Sequence, residues 1–162
     1  MKQKFINAYM DVAERFAQLS SATRLQVGAI VVKDDRIISI GYNGMPSGWD
    51  NCCEDIVESM KDNPWHEYSL LKENGWDYQN GSYVKLKTKS EVLHAESNAI
   101  AKLARSSESG DGATIFITHA PCIDCAKLIY QSGIATVYYK NDYRSTQGLD
   151  FLKKSNVWVV KV

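Results

Sequence analysis

Residues 114–140 read TIFITHAPCIDCAKLIYQSGIATVYYK. Thr114–Thr118 and Thr136–Lys140 are short runs rich in β-branched and aromatic residues, the composition of buried strands. Between them, Ile123–Gln131 has the helical period, and Gly133 stops it. A strand, a helix and a second strand in that order pair the strands in parallel through a crossover. Thr146–Lys154 and Val157–Val162 repeat the helix–strand unit, so the last three strands are predicted to be mutually parallel.

Working upstream, Glu91–Ala104 reads as another helix, separated from the first of these strands by a Ser/Gly-rich turn. Phe5, Tyr9, Val12, Phe16 and Leu19 recur at 4-3-4-3 spacing, one apolar face of an amphipathic first helix. Gln26–Val32 and Arg36–Ile40 are β-rich runs around Lys33-Asp34-Asp35, which predicts a hairpin. Its second strand runs into Gly41-Tyr42-Asn43-Gly44-Met45-Pro46, whose composition marks a tight loop. The expected fold is a three-layer α/β/α domain over residues 1–162. Its five-stranded mixed sheet has the hairpin antiparallel beside the three parallel strands. The stretch at about 47–90 is the least regular. It holds Trp49, Trp65 and Trp76 among polar residues, and short helices are expected around Cys53–Lys61 and Trp65–Lys72. An insert this long inside a domain is usually functional.

The 162 residues suit one domain, and 44% of them are apolar, enough for a core. Nineteen Lys+Arg offset nineteen Asp+Glu, so no bulk attraction to nucleic acid or an anionic membrane is expected. The longest apolar runs, such as Val27–Val32, are strand-sized, far short of the ~20 residues that span a bilayer. Met1–Leu19 lacks a signal-peptide core. The expectation is a cytoplasmic protein whose four cysteines serve a metal or catalysis before disulfides.

Cys122 and Cys125, three apart at a helix start, face one way. His94 lies at the start of the neighbouring helix and can add a nitrogen. One histidine and two thiolates leave the fourth tetrahedral position of Zn²⁺ open for water, as in catalytic sites. The helix N-terminus favours thiolate over thiol. Glu96, two residues past His94, can reach such a water and relay its proton. A C-x-x-C pair or an H-x-E alone is commonplace. H-x-E followed by P-C-x-x-C, each at a helix start, is the signature of zinc-dependent nucleobase deamination. Cys52, Cys53, His66 and His119 are the alternatives that could close the site as a structural one.

On these residues the chain resembles the zinc-dependent cytidine deaminase superfamily, and within it the deoxycytidylate (dCMP) deaminases. The matching pieces are Val27-Gly28-Ala29, Gly41-Tyr42-Asn43-Gly44-Met45-Pro46, His94-Ala95-Glu96-Ser97-Asn98-Ala99-Ile100 and Pro121-Cys122-Ile123-Asp124-Cys125-Ala126-Lys127-Leu128-Ile129. Gln131-Ser132-Gly133-Ile134 and Tyr143 also match. The likeness covers nearly the whole chain and is weakest over Ser47–Ser90. Free-nucleoside cytidine deaminases generally place Cys where His94 stands and run the last strand antiparallel. Transfer-RNA adenosine deaminases join the Asn loop to the His by a short link and need a basic surface.

The resemblance implies a cytidine-deaminase-like fold and hydrolytic deamination of dCMP to dUMP with release of ammonia, a step that feeds thymidylate synthesis. It implies one catalytic Zn²⁺ per chain on His94, Cys122 and Cys125, with Glu96 as the proton shuttle. Asn43 would hydrogen-bond the deoxynucleotide, Ala29 would lie along the base, and Tyr143 would contact the 5′-phosphate or stack near the base. Arg24 and Arg144 are either phosphate ligands or solvated charges. Some relatives carry a second, structural zinc. Here Ser20 and Ser21 stand where a Cys would be needed, and only Cys52-Cys53 matches the insert half. The family pattern further implies a homohexamer, activated by dCTP and inhibited by dTTP. These triphosphates would bind with Mg²⁺ at an allosteric site including Gly41, Tyr42, Asn43, Gly44 and Met45. No nucleic-acid or membrane partner is expected. The alternatives are a deaminase acting also on dCTP or on an RNA base, and a non-catalytic zinc-stabilised nucleotide-binding regulator.

Overall fold

The hydrophobic periodicities settle into elements close to those predicted. The computed structural model describes residues 1–61 and 68–162. In it α1 spans Gln3–Ala17, and β1 (Gly28–Lys33) and β2 (Arg36–Tyr42) form the hairpin. Asp34 and Asp35 both have positive φ, 50° and 57°, the left-handed pair that a two-residue turn needs to follow strand twist. After the insert come α3 (Ala95–Leu103), β6 (Thr114–His119), α4 (Ile123–Gln131), β7 (Thr136–Asn141), α5 (Gln147–Lys154) and β8 (Trp158–Lys161); β3, β4, β5 and α2 lie within the insert. The main sheet runs β2-β1-β6-β7-β8. β1 is antiparallel to both neighbours, and β6, β7 and β8 are mutually parallel.

The alternation of strand side chains divides the core into two layers. Ile30, Val32, Phe116 and Tyr138 pack on Ile6, Met10 and Ala13 of α1, with the Phe116 and Tyr138 rings stacked at 4.9 Å. Ala29, Val31, Ile115, Ile117 and Val137 face the other way, onto Ala95 and Ala99 of α3, Ala126 and Ile129 of α4 and Leu152 of α5. That second layer carries the chemistry. Close backbone approaches position it. A Cβ on Gly41 would stand 2.1 Å from the Ala95 carbonyl oxygen, and one on Gly148 would stand 2.1 Å from that of Pro121.

The helix predicted from Glu91 begins at Ala95 instead. Leu93 is held in an isolated bridge to Gly44: the Gly44 N–H donates to the Leu93 carbonyl at 3.1 Å and the Leu93 N–H donates back at 2.9 Å. The insert departs further. The helix expected over Cys53–Lys61 is a strand, β3 (Glu54–Lys61). It pairs antiparallel with β5 (Ser82–Thr88), which in turn pairs with β4 (Trp76–Gln79) in a second sheet. The β-branched Ile56 and Val57 and the cross-strand ion pair Glu58–Lys85 at 3.4 Å favour the strand. A register shift between Ile56 and Glu58 absorbs Val57 as a bulge, which hid the period-2 pattern. Asn80-Gly81, with φ of 50° and 80°, makes the β4–β5 turn and is a hairpin signal in its own right. The helix predicted over Trp65–Lys72 is seen as α2 (Tyr68–Glu73), and Trp65 and His66 lie outside the described residues. Among the described residues no helix is long and apolar enough to cross a membrane.

Gly41 and Gly44 belong to one loop motif yet differ in surroundings, since nothing lies within 4 Å of a Cβ built on Gly44. Gly41→Ala should lower unfolding stability in urea by about 1–3 kcal/mol, the usual cost of overpacking. Gly44→Ala should stay within roughly 0.5 kcal/mol. Equal losses at both positions would contradict the close approach of β2 and α3.

Candidate active site

Two helix N-termini meet beside the C-terminal end of β6. His94 is the N-cap of α3 and Cys122 the N-cap of α4, and both have extended backbone, so their side chains leave the helix ends rather than cap them. Cys125 sits one turn into α4, buried. His94 Nδ1 lies 3.5 Å from Cys122 Sγ and 3.4 Å from Cys125 Sγ. All three potential ligand atoms fall within 4.8 Å of one another, and this is the one such group among the described residues. Tetrahedral zinc with Zn–S near 2.3 Å and Zn–N near 2.0–2.1 Å holds N and S about 3.6 Å apart. The donor set and its spacing therefore fit that ion.

The protonation pattern points the same way. Hydrogen bonds from Cys125 and His94 bring the Cys122 thiol down to about 4. The bond that Cys125 gives to Cys122, reinforced by burial, holds its own thiol far above the ordinary thiol range. His94 is raised chiefly by its bond to Cys122. A thiolate, a thiol and a basic imidazole on one point are ligands that a metal would relieve of their protons. Glu96, in the first turn of α3, is 4% exposed, and burial pushes its carboxyl up to about 7.

His94, Glu96 and Cys122 form one wall of a cavity of about 570 Å³. Asn43 lines it with its side chain partly spent. The Val27 N–H donates to Asn43 Oδ1 at 2.8 Å, and Asn43 Nδ2 donates to the Leu25 carbonyl at 2.8 Å. One lone pair on Oδ1 and one hydrogen on Nδ2 remain for a ligand. Tyr143 also lines the cavity, backed by Ala120, Tyr139 and Leu149, with the Arg144 guanidinium 5.4 Å over its ring. Ala29, expected along the base, lies deeper than the cavity lining. It is fully buried in the core beneath α3 and is not among the residues that line the cavity, to which Val27, toward its rim, and Ala95 contribute. Of the loop residues, Tyr42 lies under Lys102 at 5.6 Å and Met45 packs on Ala22, Cys53 and Val92.

Several lining residues were not singled out from sequence: Glu54, Lys87 and Thr88 from the insert, and Val92 and Ala120. The insert residues had no signal, since their strands were not recognised. His119 also lines the cavity, its imidazole held low by burial. Cys53 is buried with its sulfur 3.5 Å from Ser21 Oγ, while Cys52 is exposed. Ser20, also buried, donates to the Asn43 carbonyl at 2.7 Å. That region is therefore closed by hydrogen bonds and apolar contacts.

Comparison with known proteins agrees with the geometry. The family model described as the cytidine and deoxycytidylate deaminase zinc-binding region matches residues 3–141. The chain is 34% identical to the deoxycytidylate deaminase of Enterobacteria phage T4, over 94% of this chain and 87% of that protein. It is 38% identical to the human deoxycytidylate deaminase, over 83% of this chain and 63% of that one. Its fold matches the crystal structure of dCMP deaminase from the cyanophage S-TIM5 in complex with dCMP and dUMP. There the TM-score is 0.78 and the identity 42%, covering 100% of this chain and 99% of that one.

Elemental analysis of the purified protein should find one zinc per chain, and Cys125→Ser should lose it. Restoring zinc to the stripped protein should add about 4 kcal/mol of stability when free zinc stands at about 1,000 times its dissociation constant. A protein that binds no zinc, or a Cys125→Ser variant that keeps it, would refute the ligand set.

Proposed function

The chain belongs to the cytidine and deoxycytidylate deaminase family, and we propose that its reaction is the hydrolytic deamination of dCMP to dUMP with release of ammonia. The observation that carries this reading is Glu96. A carboxylate buried at the floor of a nucleotide-sized cavity, two residues from His94, is placed for proton transfer and for little else. We assign His94, Cys122 and Cys125 as the zinc ligands. When bound there, zinc supplies a Lewis acid that makes water a nucleophile near neutral pH.

The rest is done by the chain's own side chains. Glu96 accepts a proton from the attacking water and passes it to N3 of cytosine, which makes C4 electrophilic. The water oxygen bonds to C4. The second proton goes through Glu96 to the exocyclic amine, the C4–N bond breaks, and ammonia leaves as the carbonyl forms. A carboxyl held near 7 exchanges protons in both directions at neutral pH, which a carboxylate in its ordinary range does poorly. Asn43 offers its remaining donor and acceptor to the deoxynucleotide. Val27 and Ala95 flank the base. Tyr143 and the cations Arg24 and Arg144 meet the phosphate end. Dimensions support a free mononucleotide over a base in a polynucleotide, and the balanced formal charge supports the same choice.

The regulatory part of the proposal is that dCTP activates and dTTP inhibits a homohexamer, each bound with Mg²⁺ near Gly41–Met45. The loop is fastened to the catalytic helix at two points: the Gly44–Leu93 bridge immediately before His94, and the Asn98 Nδ2 bond to the Tyr42 carbonyl at 2.9 Å. A shift of this loop is thus transmitted to the start of α3. Gly44 leaves open space beside the backbone, whereas the space beside Gly41 is taken by α3.

Glu96→Gln should retain zinc and dUMP binding and lose about 10²–10⁴-fold or more in kcat for dCMP. A near-normal kcat would remove Glu96 from the mechanism. A panel of dCMP, dCTP, deoxycytidine and transfer RNA should show ammonia release fastest from dCMP. Saturation by dCMP should become steeper with dTTP and hyperbolic with dCTP, with a coupling of ~1–3 kcal/mol. A monomer whose curve ignores both triphosphates would overturn the regulatory part and leave the catalytic part standing.

A further inference from the structure

The insert sheet ends at the active-site cavity, and its contacts there are specific. Glu54, the first residue of β3, accepts the N–H groups of Thr23 and Arg24 on one carboxylate oxygen, at 3.1 and 3.3 Å. Thr88, the last residue of β5, accepts from the Arg24 guanidinium at 3.2 Å. The two strand ends thus fix both the backbone and the side chain of Arg24. Between them, Lys87 of β5 lines the same cavity. The acid directly across the ladder from Lys87 is Asp55, but Asp55 pairs with Lys89 at 3.7 Å. Among the described residues Lys87, Arg24 and Arg144 have no carboxylate partner within ion-pair distance. Three uncompensated cations from three separate segments face one cavity, in a chain whose acids and bases balance. Glu54 is the acid among them, and its Oε1 is occupied by backbone N–H groups.

We infer that the insert sheet is part of the substrate site, and that Lys87 is a specificity-determining residue that binds the 5′-phosphate and selects nucleotide over nucleoside. The inference rests on the deaminase reading for the identity of the ligand, and on the unpaired cations for its charge. A phosphate dianion is the group that the arrangement satisfies. Lys87 and Arg144 come from separate segments, and Arg24 is already oriented by Thr88. Lys87 is exposed at the rim, so it acts on binding and takes no part in the proton transfers at Glu96.

The test compares ligands that differ only in the phosphate. By calorimetry on the zinc-loaded protein, Lys87→Gln should weaken dUMP binding about tenfold, a loss of roughly 1.4 kcal/mol. Its affinity for deoxyuridine should stay the same, and Lys87→Arg should recover most of the loss. In turnover, Lys87→Gln should raise KM for dCMP by a similar factor with kcat retained, and leave deoxycytidine kinetics unaltered. Unchanged dUMP affinity, or an equal loss for dUMP and deoxyuridine, would overturn the role of Lys87. Binding needs no catalysis, so the calorimetric arm still reads Lys87 if the wild-type protein releases no ammonia from dCMP. That last result would sink the deaminase reading alone.

Discussion

The approach of two helix N-termini, α3 and α4, to within a few ångströms of each other is the constraint on which the rest of the molecule depends. One strand and helix, and one helix and turn, must be packed closer than ordinary side chains permit. Gly41 lets β2 lie against the backbone of α3, and Gly148 lets α5 press on the turn that begins α4. With the helices seated this way, His94 and Cys122 need only extended N-cap backbone for their side chains to meet. Neither residue caps its own helix. Both helices forgo a stabilising cap, worth about 1 kcal/mol, and present side chains at positions where N–H groups and the helix dipole favour anionic sulfur.

The same packing ties the Gly41–Pro46 loop to the reaction centre. One side of the loop holds the 25–27 segment through the Asn43 amide and backbone. The other side holds the residues just before α3 through the Gly44–Leu93 bridge. Ser20 adds a bond to the Asn43 carbonyl from the end of α1. Asn43 is therefore a structural clamp as well as a cavity wall. Half its side-chain hydrogen-bonding capacity fixes the cavity and half is left over.

The main sheet was legible because its signals are local. β6 and β7 are short β-rich runs, each followed by a helix with a clean stop, and the ligand motifs sit at helix starts. Asn43 and His94 are 51 positions apart, and nothing in that interval repeats the pattern. There the bulge at Val57 breaks the alternation of β3, and the strand takes its structure from pairing with β5. Ala29 shows a different limit: a motif match identifies a segment, whereas depth along the strand decides which of its residues reach the cavity, so Val27 lines it and Ala29 lies beneath α3. The contribution of Lys87 was invisible because it depends on a sheet that had not been foreseen.

A formal net charge of zero says little about how charge is arranged inside. One end of the cavity holds a buried carboxyl near neutrality and a strongly acidic Cys122 beside His94. On the proposed reading the other end is the phosphate end, served by Arg24, Lys87 and Arg144, with the nearby acid engaged by backbone. A ligand with a neutral, protonatable ring at one end and a dianion at the other is aligned by that field before any close contact forms. Reversal would set the phosphate against a desolvated carboxyl. The cationic end is built partly from the insert and the reactive end from α3 and α4 on the main sheet, so the two can vary independently. An insert of different length or charge would change which nucleotide enters while leaving the His-Cys-Cys-Glu chemistry in place. In that division the segment with the weakest family likeness is the one expected to set substrate choice.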